Sequence, residues 1–271
     1  MTETTLAALS EGGARRLTRD AVKAAGNDIV AKFNELGPQA LKLLEVRRSL
    51  ADGDGLWTVG DYLAQLKGAR GIHELRLELA RDTELLKIGS PRKPLAWSLA
   101  YNGSEQVHLE LLKNEEALRM NGEFGSSVVG TIRQRGGPKA QAGAERFILK
   151  EMLKRSGSLE PREIRYIASS LRTDINESGL RILDTPEKRP LLFASMDNGW
   201  TVAHKLVYGK ETKAMTSIKM HFAEDKEILS IASKGSSANF APITIESMLR
   251  EGNNAAIIQR IEKTLRALKR E

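Results

Sequence analysis

Two stretches of the chain repeat one pattern. "KPLAWSLAYNG", residues 93–103, and "RPLLFASMDNG", residues 189–199, each set Pro-Leu after a basic residue, an aromatic three places past the proline, and Asn-Gly beyond it. Laid at one constant offset, the first stretch and its upstream flank also match the segment ending "SSVVGTIRQRG". Leu85 then falls on Leu118, Leu95 on Val128, Leu99 on Ile132 and Gly103 on Gly136. A third copy ends at Gly199 with Pro190, and a looser fourth runs "PITIESMLREG" from Pro242 to Gly252. Self-similarity of this kind is the mark of stacked supersecondary units, none of which can bury its apolar face alone. The expected unit is a turn, a short helix opened by Pro, Ser or Thr, and a glycine at the helix end, where a positive φ is expected. Pro94, Gly103, Gly136, Pro190, Gly199 and Gly252 are therefore read as structural repeat positions. The shared positions are apolar or turn-forming and include no nucleophile, acid or base.

Helical periodicity dominates elsewhere. From Gly13 to Leu36, the residues Leu17, Ala21, Val22, Ala25, Ile29, Phe33 and Leu36 recur at three- and four-residue steps, as on an amphipathic helix. "GPQALKLLEVRRSLADGDG" then reads as a Gly-Pro stop and a second helix carrying Leu41, Leu44, Val46 and Leu50. "LWTVGDYLAQL" and "GIHELRLELARDTELLKI" continue in the same style, and "SGSLEPREIRYIASSLR" starts afresh with Ser158 as N-cap and Pro161 in the first turn. The β-branched stretches "SVVGTI" and "APITIESML" are brief and helix-compatible. Segments 134–143 and 233–241, rich in Gly, Ser, Pro and Ala, are expected to be the least regular.

The fold class is thus mostly α, with irregular helical-hairpin repeats stacked as a solenoid. The expected blocks are an N-terminal helical segment over 1–68, a first repeat block over 69–136, a flexible connection over 137–157, and a second block with a C-terminal capping helix over 158–271.

At residues 197–209, "DNGWTVAHKLVYG" resembles the opening of an ankyrin repeat: an Asp, a Gly, then Thr-x-x-His and an apolar helix. Val202-Ala203 stand where that family has Pro-Leu. The resemblance implies that Thr201 and His204 tie their turn to the next repeat by hydrogen bonds, and that Trp200 packs over the neighbouring unit.

Composition restricts the chemistry. With no cysteine, disulfides, thiolate catalysis and Cys-ligated metals are excluded. His73, His108, His204 and His221 lack metal-ligand spacing, and the sequence has no Walker A, dinucleotide fingerprint or nucleophile elbow. "GEFGSSVVG" (122–130) as a phosphate loop and "DGDG" (52–55) as a calcium loop are both better read as turns. No cofactor is expected, and no enzymatic activity. No stretch approaches a membrane span and the start lacks a secretory signal, so a soluble, cytoplasmic protein is expected. A specialised export machine would leave no trace in such a sequence.

Lys and Arg outnumber Asp and Glu by 42 to 35. The candidate anion contacts are Arg133, Arg135 and Lys139 in "RQRGGPK", and Arg260, Lys263, Arg266, Lys269 and Arg270 on a last helix whose Ile257, Ile258, Ile261, Leu265 and Leu268 form an apolar stripe. The reading these features favour is a non-enzymatic module that binds and modulates or inhibits another protein. The alternative is a DNA- or RNA-associated regulator, docking in part through Arg15, Arg16, Arg19 and Lys23.

Overall fold

The computed structural model describes residues 14–90, 93–122, 125–208, 212–233, 242–252 and 254–268. They divide into two compact units, 1–148 and 149–271. Both are mostly helical; the one strand pair among the described residues joins Gly89–Ser90 to Lys93–Pro94, two residues each.

The first unit opens with the helix Arg19–Leu36. Thr18 caps it, its Oγ accepting from the Ala21 N–H at 3.3 Å, and Gly37 at φ 61° ends it. Val22, Ile29, Val30 and Phe33 are buried, as the periodicity requires, but Leu36 at the end of the expected stripe is 45% exposed. Short helices follow, and three of them, Val59–Gln65, Leu95–Asn102 and Val128–Arg135, pack in a row. The middle one has six consecutive buried residues, Leu95 to Ala100. A helix apolar on all sides belongs inside. Each such buried leucine contributes about 1.5–3 kcal/mol. A second pairing, Ile72–Arg81 with Glu105–Leu111, runs alongside.

The second unit contains Pro161–Ser178, Arg189–Phe193, Val202–Val207, Lys213–Phe222, Ile245–Glu251 and Ala255–Leu268. The helix Val202–Val207 packs on Ile245–Glu251, and Lys213–Phe222 on Ala255–Leu268. Ile257 and Ile261 of the last helix are buried, and Leu265 packs against the same core.

One local device recurs. The first N–H of a helix donates back to the carbonyl just before its turn: Val59 to Asp52 at 2.9 Å, Leu95 to Ile88 at 2.7 Å and Val128 to Met120 at 2.9 Å in the first unit, Val202 to Ala194 at 3.0 Å and Ile245 to Ile231 at 3.0 Å in the second. Four of these turns carry a single bridge, Gly53 to Thr58, Asn121 to Ser127, Ser195 to Thr201 and Ala232 to Thr244; the other carries the short strand pair. The residue after each turn is a helix N-cap: Thr58, Pro94, Ser127, Thr201 and Thr244. In four of the five its hydroxyl accepts from the N–H three residues on, which satisfies a donor that the helix leaves free.

This device corrects the register of the sequence repeat. Pro94 caps its helix, whereas Pro190 lies inside the separate helix Arg189–Phe193, and its Asn-Gly forms the next turn. The position equivalent to Pro94 is Thr201. Of the matched pairs in the first two copies, Leu95 with Val128 and Leu99 with Ile132 are buried at equivalent helix positions. Leu118, however, corresponds to Leu86 and not to Leu85, each lying four residues after its cap, Asn114 and Asp82. In the fourth copy Thr244, not Pro242, caps the helix.

The reason for the glycines also changes. Gly103, Gly136 and Gly252 sit at helix ends with φ of −70°, −67° and −67°. No positive φ is needed there. Space is what excludes a side chain at the first two: a Cβ on Gly103 would lie 2.4 Å from the Leu99 oxygen, and one on Gly136 2.6 Å from the Ile132 oxygen. At Gly252 nothing crowds the position, and the structure gives no reason for glycine. Gly199, in its turn at φ 75°, does need the left-handed region.

Residues 134–143 and the expected connection 137–157 are largely helix. Pro138–Lys154 runs seventeen residues and buries Ala140 and Ala144. Pro138 opens it, so the Gly-Gly-Pro run marks a helix start instead of an irregular link. The unit division falls within this helix, and residues 1–68 and 69–136 lie in one compact unit. Ser158 does not cap the next helix. Glu160 does, with Pro161 following, while the Ser158 hydroxyl donates to the Arg155 carbonyl at 3.0 Å. Of 233–241, all but Ser233 lies outside the described residues, as does Gly209.

Candidate functional site

The third helical residue after the cap is where successive turns are tied together. Asp61 accepts from the Thr58 N–H at 3.0 Å and from the Ser98 hydroxyl, and its Oδ2 lies 3.9 Å from the Lys93 ammonium. Trp97 donates its indole N–H to Ser126 Oγ at 2.9 Å. His204 accepts from the Thr201 N–H on Nδ1 at 3.1 Å, which leaves the proton on Nε2 to donate to the Ile243 carbonyl at 3.1 Å. Thr201 Oγ in turn accepts from the His204 N–H at 3.3 Å. Asp61 and His204 therefore close their own caps and reach forward to the next turn, while Trp97, behind the proline cap Pro94, only reaches forward. Three side chains of unlike chemistry occupy one structural role. The Thr201 and His204 positions expected from sequence are found at the helix start with their polar atoms bonded; Trp200 stacks on His204 at 4.9 Å and meets Tyr208 edge-on at 6.1 Å, all within its own unit.

A second recurring element was missed by the sequence reading. "DTELLKI" (82–88), "NEEALRM" (114–120) and "DKEILSI" (225–231) each begin with an Asp or Asn that caps a short helix and end at the carbonyl that closes the next turn. Leu86, Leu118 and Leu229, four residues after the cap, are buried. Two of the caps hold an arginine from about one unit earlier, Asp82 with Arg47 at 2.6 Å and Asp225 with Arg189 at 2.7 Å. Burial pushes the Asp225 carboxyl up, but Arg189 and the Glu227 and Ile228 amides hold it below the usual range, and the same pairing raises Arg189. Spacing [DN]-x-E-x-L was available in the sequence as a signal.

The second unit carries a groove of about 940 Å³ lined by Arg189, His221, Glu224, Asp225, Arg260 and Lys263 among others. Its carboxylates are already engaged: Glu224 with Arg260, Asp225 and Glu227 with Arg189. His221 faces Asp184 at 3.1 Å. Among the described residues, no group of three or more His, Asp or Glu is placed to hold a metal ion. No helix among them is long and apolar enough to cross a membrane.

The candidate anion contacts meet different fates. Arg133 pairs with Glu145 at 3.2 Å, Arg266 with Glu262 at 3.5 Å, and Arg260 with Glu224. Lys139 is exposed, its backbone N–H donating to Glu105 at 2.9 Å, and Lys263 borders the groove. Lys269 and Arg270 lie outside the described residues, as does the side chain of Leu268. Of the N-terminal set, Arg15 pairs with Asp52 at 3.6 Å, Lys23 with Asp20 at 3.5 Å, and Arg19 lies over the Trp57 ring at 5.2 Å. Arg135 differs. Its guanidinium stacks on the Tyr101 ring at 3.5 Å from the centroid, and Tyr101 stacks on Trp97 at 5.1 Å with the planes 28° apart. Trp97 is 5% exposed and Tyr101 40%, so the stack runs from core to surface.

Burial lowers the pKa of both His108 and His204 below the ordinary imidazole value of 6.5, against the opposing bonds to the Ala100 and Ile243 carbonyls. His108 donates from Nε2 to Ala100 at 2.9 Å and leaves Nδ1 buried and unpaired, with Glu105 the charged group nearest in effect. The depressed native pKa means the unfolded chain takes up these protons first as pH falls. Stability from the two neutral imidazoles is therefore present above pH 6.5 and declines below it. Melting temperature should fall from pH 7 toward pH 5, ahead of carboxylate protonation. His108→Gln, which keeps a donor for Ala100 but does not titrate, should flatten that decline; an unchanged slope would remove His108 as its source.

Comparison with protein-family models, curated proteins and solved structures finds no match.

Proposed function

We propose that the chain is a non-enzymatic, ankyrin-like repeat module that binds another protein and modulates or inhibits it. The observation that carries this reading is the recurrence of one closed turn, five times among the described residues, with cap-linked side chains reaching into the following turn. Such nearest-neighbour bonding favours a stacked scaffold whose stability is spread along the chain and whose outward positions are left for recognition. The aromatic surface supports it: Tyr101 and Tyr208 occupy the same place, the seventh after the cap, and are 40% and 71% exposed. Exposed tyrosines beside tryptophan and arginine have the composition of interface anchors.

A nucleic-acid role asks for a face of uncommitted cations. Arg133, Arg260 and Arg266 each hold a glutamate instead, which favours the protein-binding reading. Crosslinking in native lysate followed by separate identification of bound protein and nucleic acid tests it. Protein partners whose recovery drops with Tyr101→Ala and Tyr208→Ala are expected. Recovery of nucleic acid alone, with binding that falls steeply on added salt, would overturn it.

A further inference from the structure

We propose that the Trp97–Tyr101–Arg135 stack is a receptor for a carboxylate on an acidic peptide segment of the partner protein; this rests on the protein-binding reading and names the partner's chemistry. Arg135 is exposed and its guanidinium carbon lies over Tyr101, whose ring is braced by buried Trp97, itself anchored to Ser126. A guanidinium that rests on a ring through its face keeps its N–H edge available for hydrogen bonds. Among the described residues Arg135 has no carboxylate partner, unlike Arg133 two positions before it. A planar fork held rigid in this way loses little side-chain freedom on binding and matches a carboxylate with two parallel hydrogen bonds. The attraction of the cation to the aromatic face adds to the same pre-organisation.

A carboxylate suits the surroundings better than a phosphate backbone. Glu145 neutralises Arg133, and Glu105 binds the Lys139 backbone at the start of the neighbouring helix. A polyphosphate strand needs several open cations in series, whereas one fork takes one carboxylate, with the exposed Tyr101 ring beside it for an apolar or proline neighbour.

Fluorescence anisotropy of labelled octaglutamate on the full chain tests this, with octaglutamine and a short DNA duplex as comparison probes. Arg135→Gln is expected to weaken octaglutamate binding about tenfold, roughly 1.4 kcal/mol. Arg266→Gln, which removes equal charge elsewhere, should change it less than about twofold. Arg135→Lys and Tyr101→Leu, which keep the charge but remove the planar fork or its support, should each weaken binding several-fold. Circular dichroism and melting of each variant establish that it folds. Equal loss in Arg135→Gln and Arg266→Gln, full affinity in Arg135→Lys, or a preference for the duplex that depends on Arg135 would each overturn the proposal. A captured protein partner retained equally by wild type and Arg135→Gln would overturn it while leaving the protein-binding reading in place. Recovery of nucleic acid alone would overturn that reading itself.

Discussion

Replacing His204 by alanine should destabilise the second unit by about 1–3 kcal/mol through the carbonyl and amide left unpaired, with the loss of packed ring volume adding to this. The imidazole is fully buried, accepts from the Thr201 N–H and donates to the Ile243 carbonyl, and supports the Trp200 ring. Its removal thus opens one cap and unties it from the following turn at once. His204→Gln should recover part of the loss, because an amide can accept from one neighbour and donate to the other. Urea denaturation followed by Trp200 fluorescence measures both. Partner binding should decline only as far as folding does. A variant with an unchanged unfolding midpoint but no binding would reassign His204 from scaffold to contact surface.

Gly122→Ala should be at least as damaging for the first unit. An added Cβ would sit 1.8 Å from Trp97 Cδ1 and 2.2 Å from its Nε1, inside any allowed contact. The indole is hemmed in: buried, bonded to Ser126 and stacked under Tyr101. Overpacking of this kind costs about 1–3 kcal/mol, and more where the neighbour cannot yield. Relief is the diagnostic. In a Trp97→Leu background the added methyl should be tolerated far better, giving a coupling energy of about 1 kcal/mol or more in the double-mutant cycle. Additive effects would show that the backbone at 122, and not the ring, imposes glycine. Because the same ring supports Arg135, Gly122→Ala should also weaken octaglutamate binding in the fraction that remains folded.

The helices were legible because apolar spacing and capping residues act over three or four positions, within reach of a sequence pattern. Leu95, Leu99, Val128 and Ile132 were placed correctly for that reason, and so was His204 beside Thr201. The helix over 138–154 was not foreseen, since the Gly-Gly-Pro run at its start reads as a break and its first buried positions, Ala140 and Ala144, are too small to stand out as an apolar stripe. The register error at Pro190 has a like origin. Proline and Asn-Gly serve both helix starts and turns, and deciding between them needs the backbone bond that closes each turn. The Asp61, Trp97 and His204 positions escaped recognition as a set because they share a location and no chemistry. Pairing of Arg133 and Arg260 with glutamates in space removed cations that the linear sequence presents as free.

The closure of the turns bears on how such a surface can change over generations. The bond from Ile245 back to Ile231 has nearly the same length as the bond from Val59 back to Asp52, at 3.0 and 2.9 Å, although it spans a much longer stretch of chain. Residues between the two ends of a turn can thus be gained or exchanged without disturbing the helix that follows, since its cap and first N–H are satisfied from outside the insertion. Loop-length changes of this kind carry only a small entropic cost. The tips are accordingly sites where new binding sequence can be grafted, by natural drift or by design, while the helical rows keep their register.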